Sequence, residues 1–164
     1  MKRYCMVTLL TGLFIGYQGL GQAAPVPPKG TIMFAQKMDA PQMPGGKQCS
    51  IAVEVDKPVT ENMSDTACGN DVVSFFRFNN IPSSTLVKLS ADKDCKHWDW
   101  IFIVAAIKEP ATTTWVGIPD LQGFLNGSIV VPGMMLDTNG YIKGHIEGKL
   151  SCVQIYPALT QPNP

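Results

Sequence analysis

Short runs of β-branched and aromatic residues, each bounded by Gly, Asn, Asp, Pro or Ser, recur along the chain. Three of them follow one another between Cys68 and Ile107: Val72–Phe78, Thr85–Leu89 and Trp100–Ile107. Runs bounded in this way are strand signals. Cys49–Val55 alternates, with Ile51, Val53 and Val55 on one side and Ser50, Ala52 and Glu54 on the other, which is the period of a half-buried strand. In Val72–Phe78 neither side is cleanly polar: Val73, Phe75 and Arg77 share one face, and Val72, Ser74, Phe76 and Phe78 the other. That pattern predicts a central strand. Trp100–Ile107 is nearly all apolar and predicts a buried strand.

Further runs predict strands at Thr31–Gln36, Thr114–Ile118, Ser128–Val131 and Lys149–Tyr156. Met134–Leu136 and Tyr141–Lys143 flank Asp137-Thr138-Asn139-Gly140, and the Asn-Gly pair predicts a tight hairpin turn between them. Lys37–Lys47 holds Pro41, Pro44 and Gly45-Gly46 and predicts a loop. Asp56–Thr66 reads as a polar connection, and Asp120–Leu125 as one helical turn limited by Pro119 and Gly123. About eight or nine short strands, with no helical period beyond about two turns, predict an all-β Greek-key sandwich. The alternative is a small α+β fold. The expected core includes Val73, Phe75, Leu86, Ile101, Ile103, Val130, Leu150 and Val153.

The two ends read differently. Met1-Lys2-Arg3 is basic, Tyr4 to Tyr17 carries no charge, and Gly21-Gln22-Ala23 is a small-x-small site. This predicts a signal peptide over residues 1–23, cleaved after about Ala23. Residues 24–30, with three prolines, predict a flexible leader, 31–157 a single β-sandwich domain and 158–164 a Pro-rich tail. The expected location is therefore the periplasm or the exterior, with no membrane insertion once the signal is removed.

Without Lys2 and Arg3, 11 basic residues face 13 acidic ones, a net charge of about −2. A chain without a basic patch is not expected to bind nucleic acid. Cys5 leaves with the signal, so Cys49, Cys68, Cys95 and Cys152 remain. An even number of cysteines in an exported chain predicts two disulfides, with three possible pairings. The expected pairing is Cys49–Cys68, closing the polar connection, and Cys95–Cys152, tying a charged loop to the last strand.

Asn70-Asp71-Val72-Val73-Ser74 is the sharpest local motif. Two Asn/Asp residues, any two, then Ser, followed by a strand, a turn and a further strand, resembles the calcium signature of microbial βγ-crystallins. Phe75 stands where that pattern has a final serine, and the chain has no second copy. The resemblance covers about a third of the chain. It implies a Ca2+ site formed by Asn70, Asp71 and Ser74, since calcium takes oxygen ligands. The plain alternative is a polar turn entering a strand. Asp92, Asp94 and Asp99 are either additional ligands or solvated loop charges.

Catalytic signatures are missing. There is no Gly-x-Ser-x-Gly elbow, no His-Glu-x-x-His and no glycine-rich phosphate loop, and the paired cysteines leave no thiolate for His97 or His145. Trp98 lies in a polar loop two residues before Trp100 and either caps the sandwich or presents its ring to a partner. Met38 and Met43 are a further candidate contact surface. The expectation is an exported, non-enzymatic binding module, calcium-stabilised through the motif, with a protein or glycan partner. One alternative is a secreted inhibitor or virulence-accessory factor that binds an extracellular protein, which the crystallin-like resemblance permits. The other is a hydrolase whose site has no sequence signature.

Overall fold

A computed structural model describes residues 30–158. The expected signal peptide, almost all of the leader and the tail from 159 onward lie outside the described residues. Ten strands form two antiparallel sheets. They are β1 (Thr31–Ala40), β2 (Met43–Ala52), β3 (Val59–Asn62), β4 (Phe75–Asn79), β5 (Leu86–Ser90), β6 (Trp100–Ala106), β7 (Val116–Gly117), β8 (Ile129–Val131), β9 (Met134–Tyr141) and β10 (Cys152–Tyr156). One sheet has the order β2-β1-β4-β7 and the other β3-β10-β5-β6-β9-β8. The chain alternates between sheets from β3 to β5 and again from β6 to β8, so the two layers are interlocked.

The core lies between the sheets. Phe34, Phe76 and Phe78 from one sheet join Val87, Leu89, Trp100, Phe102 and Val153 from the other, all fully buried. Alternation along each strand puts these side chains on the inner face. Burying each large one stabilises the fold by roughly 1.5–3 kcal/mol. Val73, Ile101, Leu150 and Val153 are buried as expected. Phe75, Leu86, Ile103 and Val130 are only partly buried. Each of the four stands on a strand with apolar residues on both sides, but Phe75 shares its face with Arg77 and Leu86 shares its face with Lys88, and those are the outward faces. In β4 it is Phe76 and Phe78 that turn inward. In β5 it is Val87 and Leu89.

Three segments depart from expectation. Residues 37–47 are not a loop: β1 and β2 continue through them as a hairpin, with register shifts at Ala35/Lys37 and Met38/Ala40, the first of which takes up Gly46 opposite Gln36. At its tip the Gln42 side chain accepts from the Trp115 N–H at 2.6 Å and donates to the Trp115 carbonyl at 3.3 Å, imitating a strand pair. Part of the polar connection is β3, which pairs with β10. The Asn139-Gly140 pair makes no turn; it lies inside β9, opposite Phe102 and Ile101. The Asn139 amide donates to the carbonyls of Leu121, Gln122 and Phe124 at 3.3, 3.1 and 2.9 Å, holding the 3-10 turn Pro119–Gly123 against the sheet. Gly140 makes room: a Cβ there would stand 2.7 Å from the Ile101 side chain and 3.2 Å from the His97 ring.

The cysteines pair as expected. Cys49–Cys68 ties β2 to the chain leaving β3, and Cys95–Cys152 ties the 91–99 loop to β10. Such bridges belong to an oxidising compartment. No helix among the described residues is long and apolar enough to cross a membrane.

Candidate binding site

The loop between β5 and β6 is built from short-range polar contacts. Ser90 Oγ donates to the Lys96 carbonyl at 2.7 Å and accepts the Asp92 N–H at 3.1 Å. Asp92 Oδ2 accepts the N–H groups of Trp98 at 2.8 Å and Asp99 at 3.3 Å. Asn62 on β3 accepts the Asp94 N–H at 2.8 Å and donates to its carboxylate at 3.2 Å. The Lys88 ammonium donates to the Cys95 carbonyl at 2.7 Å, and partial burial holds the Lys88 pKa below its ordinary value. With the disulfide at Cys95 beneath it, this loop is fixed from several sides.

On this fixed loop Trp98 is 69% exposed. Trp100, two residues on, is fully buried, and its indole N–H donates to the His145 carbonyl at 3.1 Å. Trp98 therefore does not cap the core. Exposing a large indole forgoes the stabilisation that burial gives.

Beside the loop is a pocket of about 280 Å³ lined by Asp71, Ala91, Asp99, His145, Lys149 and Ser151. Asp71 enters it from a left-handed backbone conformation, φ 54°, in the turn before β4. Its Oδ1 accepts from Ser151 Oγ at 3.2 Å and its Oδ2 faces the Lys149 ammonium at 3.4 Å. Both charged side chains are half-exposed, so this pair contributes only about 0–1 kcal/mol. Asp99 makes a looser pair with Lys143, at 3.9 Å.

The other members of the motif lie deeper. Ser74 is buried, and its Oγ accepts the Gly148 N–H at 2.9 Å. Its backbone joins β4 to both neighbours, donating to the Ala35 carbonyl at 3.1 Å and accepting from the Ile118 N–H at 2.8 Å. Asn70 Oδ1 is buried without a hydrogen-bond partner. An unpartnered buried oxygen is costly and calls for a donor or a cation. The turn thus offers calcium oxygen donors of the right kind, with a single carboxylate that already faces Lys149.

The three loop aspartates do not converge. Asp92 is used inside the loop, Asp94 on Asn62, and only Asp99 reaches the pocket. Among the described residues no group of three His, Cys, Asp or Glu side chains is placed to hold a metal. Asp71, His145 and Ser151 share the pocket, but Ser151 donates its hydroxyl proton to Asp71 and not to an imidazole. That is not the order in which a histidine base activates a serine. His97 Nε2 lies 2.9 Å from the Gly140 carbonyl.

His145, Lys149 and Ser151 were not singled out as site residues by the sequence. They join Asp71 from 74 to 80 positions away, and no local signal announces such a meeting. The chain matches no family model, no curated protein and no solved structure.

Proposed function

We propose that this protein is an exported, non-enzymatic binding module of the periplasm or the exterior, and that Trp98 is its principal contact. The observation that supports this is a 69% exposed indole on a loop pinned by Asp92, Ser90, Asn62 and the Cys95–Cys152 bridge. A pre-ordered aromatic loses little entropy on binding. Through Ala91 and Asp99 the same loop borders the pocket that Asp71, His145, Lys149 and Ser151 also line. A flat apolar ring on a loop that also borders a polar pocket suits a glycan, whose C–H face stacks while its hydroxyls hydrogen-bond.

The test is a glycan array probed with wild-type protein and with Trp98→Ala. Retention by wild type, with loss in the variant and an unchanged melting temperature, is expected. Retention of the variant equal to wild type, or no retention of wild type, overturns the glycan reading. Tight binding of wild type to a purified extracellular protein would favour the inhibitor reading instead.

A second reading, calcium stabilisation of the same end of the sandwich, rests on the buried and unpartnered Asn70 Oδ1. Asn70, Asp71 and Ser74 are its candidate ligands, and the likeness to microbial βγ-crystallins belongs to it. A bound ion would have to compete with Lys149 for the Asp71 carboxylate.

A further inference from the structure

We propose that the cleft between β2 and β3 is a second binding site, which takes an extended basic peptide segment as an added strand on the free edge of β2. Both strands are sheet edges: β2 ends the four-stranded sheet and β3 ends the six-stranded one. The space between them is about 830 Å³ and is lined by both strands and their connection, including Ser50, Ala52, Glu54, Lys57, Thr60 and Glu61. Cys49 also lines it, and its bridge to Cys68 ties β2 to the chain that leaves β3.

The register decides which backbone groups are free. The Val53 N–H donates to the Gly30 carbonyl at 2.9 Å, in step with the Ala52–Thr31 and Ile51–Ile32 pairs. Cys49, Ile51 and Val53 therefore turn their backbone groups toward β1, while Gln48, Ser50 and Ala52 turn theirs outward. An outward row of N–H and C=O groups is a template for another strand. The rest of the edge is blunted by Pro44 and by Gly46 at φ 68°, which leaves 48–52 as the regular part. It accepts an extended segment of about five residues.

Charge selects the occupant. Glu54, Glu61 and Asp65 line the cleft against a single cation, Lys57, and none of the three carboxylates is among the ion pairs of the described residues. Two uncompensated negative charges in a concave site favour a segment with alternating Lys or Arg side chains. This site is separate from the Trp98 loop, so the two stand or fall independently.

The probe is an end-blocked Lys-Val-Lys-Val-Lys peptide, with Glu-Val-Glu-Val-Glu as its control, added to isotope-labelled oxidised protein and followed by backbone amide NMR. The lysine peptide should give saturable shifts centred on Gln48, Ser50 and Ala52 and slow the amide exchange of Ser50 and Ala52. Ser50→Pro removes an outward N–H without touching the β1 pairing and should weaken binding on the order of tenfold. Glu61→Lys, a surface change that tests the same cleft should the proline variant fold poorly, should weaken it similarly. Trp98→Ala should leave it unchanged. No saturable shift, shifts centred elsewhere, or equal binding of the glutamate peptide would overturn the proposal. A concentration-dependent dimer that Ser50→Pro converts to monomer would also overturn it, since the occupant would then be a second copy of this chain.

Discussion

The Asp92 carboxylate accepts the backbone N–H of Trp98 at 2.8 Å, and the same oxygen accepts the Asp99 N–H at 3.3 Å. One side chain thus sets the path of the chain on which the exposed indole stands. Asp92→Ala should cost about 1–3 kcal/mol, because charge-assisted bonds are lost and two amides are freed. It should also weaken binding without touching the ligand. Trp98→Ala should stay within about 0.5 kcal/mol of wild type, since the ring is mostly in water. Urea unfolding of the two variants, set against their ligand retention, separates positioning from contact.

If calcium is held at Asn70, Asp71 and Ser74, it adds RT ln(1 + [Ca]/Kd), about 2.7 kcal/mol at a hundredfold excess over Kd. The melting temperature should then rise by several degrees in millimolar calcium relative to chelator. Asp71→Ala should abolish the rise. Lys149→Ala should enlarge it, because the competing ammonium is gone from its place 3.4 Å from Asp71. Equal melting of wild type with calcium and with chelator would leave this turn as an ordinary strand entry.

Asn139→Ala should be among the more damaging polar substitutions. It strips the shared donor from the carbonyls of Leu121, Gln122 and Phe124. A loss of about 1–3 kcal/mol is expected. Gly140→Ala should also destabilise, because its Cβ would meet Ile101 at 2.7 Å. Had Asn-Gly been a solvent-exposed hairpin turn, Asn139→Ala would have cost little. Chemical denaturation of both variants measures the difference.

The Glu109 carboxylate accepts the Ser83 N–H at 2.6 Å, and this hydrogen bond holds its pKa below the ordinary value. A carboxylate with a depressed folded pKa stabilises fully above its unfolded pKa, and that contribution is lost as the pH falls through the folded one. Glu109→Gln should therefore flatten the acid limb of the stability curve while leaving an amide oxygen as acceptor. Urea midpoints at about pH 7 and about pH 3 test this, and equal slopes for variant and wild type would remove Glu109 from the acid response.

The strands rich in β-branched and aromatic residues were legible because their side chains fit a pleated sheet wherever it forms. The sandwich was legible too, since it follows from many short bounded strands; the even cysteine count predicted two bridges but left three pairings open, and Cys49–Cys68 with Cys95–Cys152 is the one the structure holds. Trp98 stood out as an indole in a polar loop, although only the structure shows that its ring is 69% exposed and not a cap on the core.

What the sequence by itself determined was the local vocabulary: strands, their punctuation and an even set of cysteines. What only the tertiary structure decided was which face is inside in the central strands with apolar residues on both sides, and what the polar residues between strands meet. Phe75 and Phe76 are equally apolar, and it is the face that Phe76 shares with Phe78, away from Arg77, that meets the partner sheet. Asn139-Gly140 has the chemistry of a turn, yet Ile101, His97 and the 3-10 turn turned it into a point of close packing. Asp71 meets Lys149 and Ser151 across 78 and 80 positions. Local propensity acts over a few residues, and only the packing of two sheets brings such distant ones together.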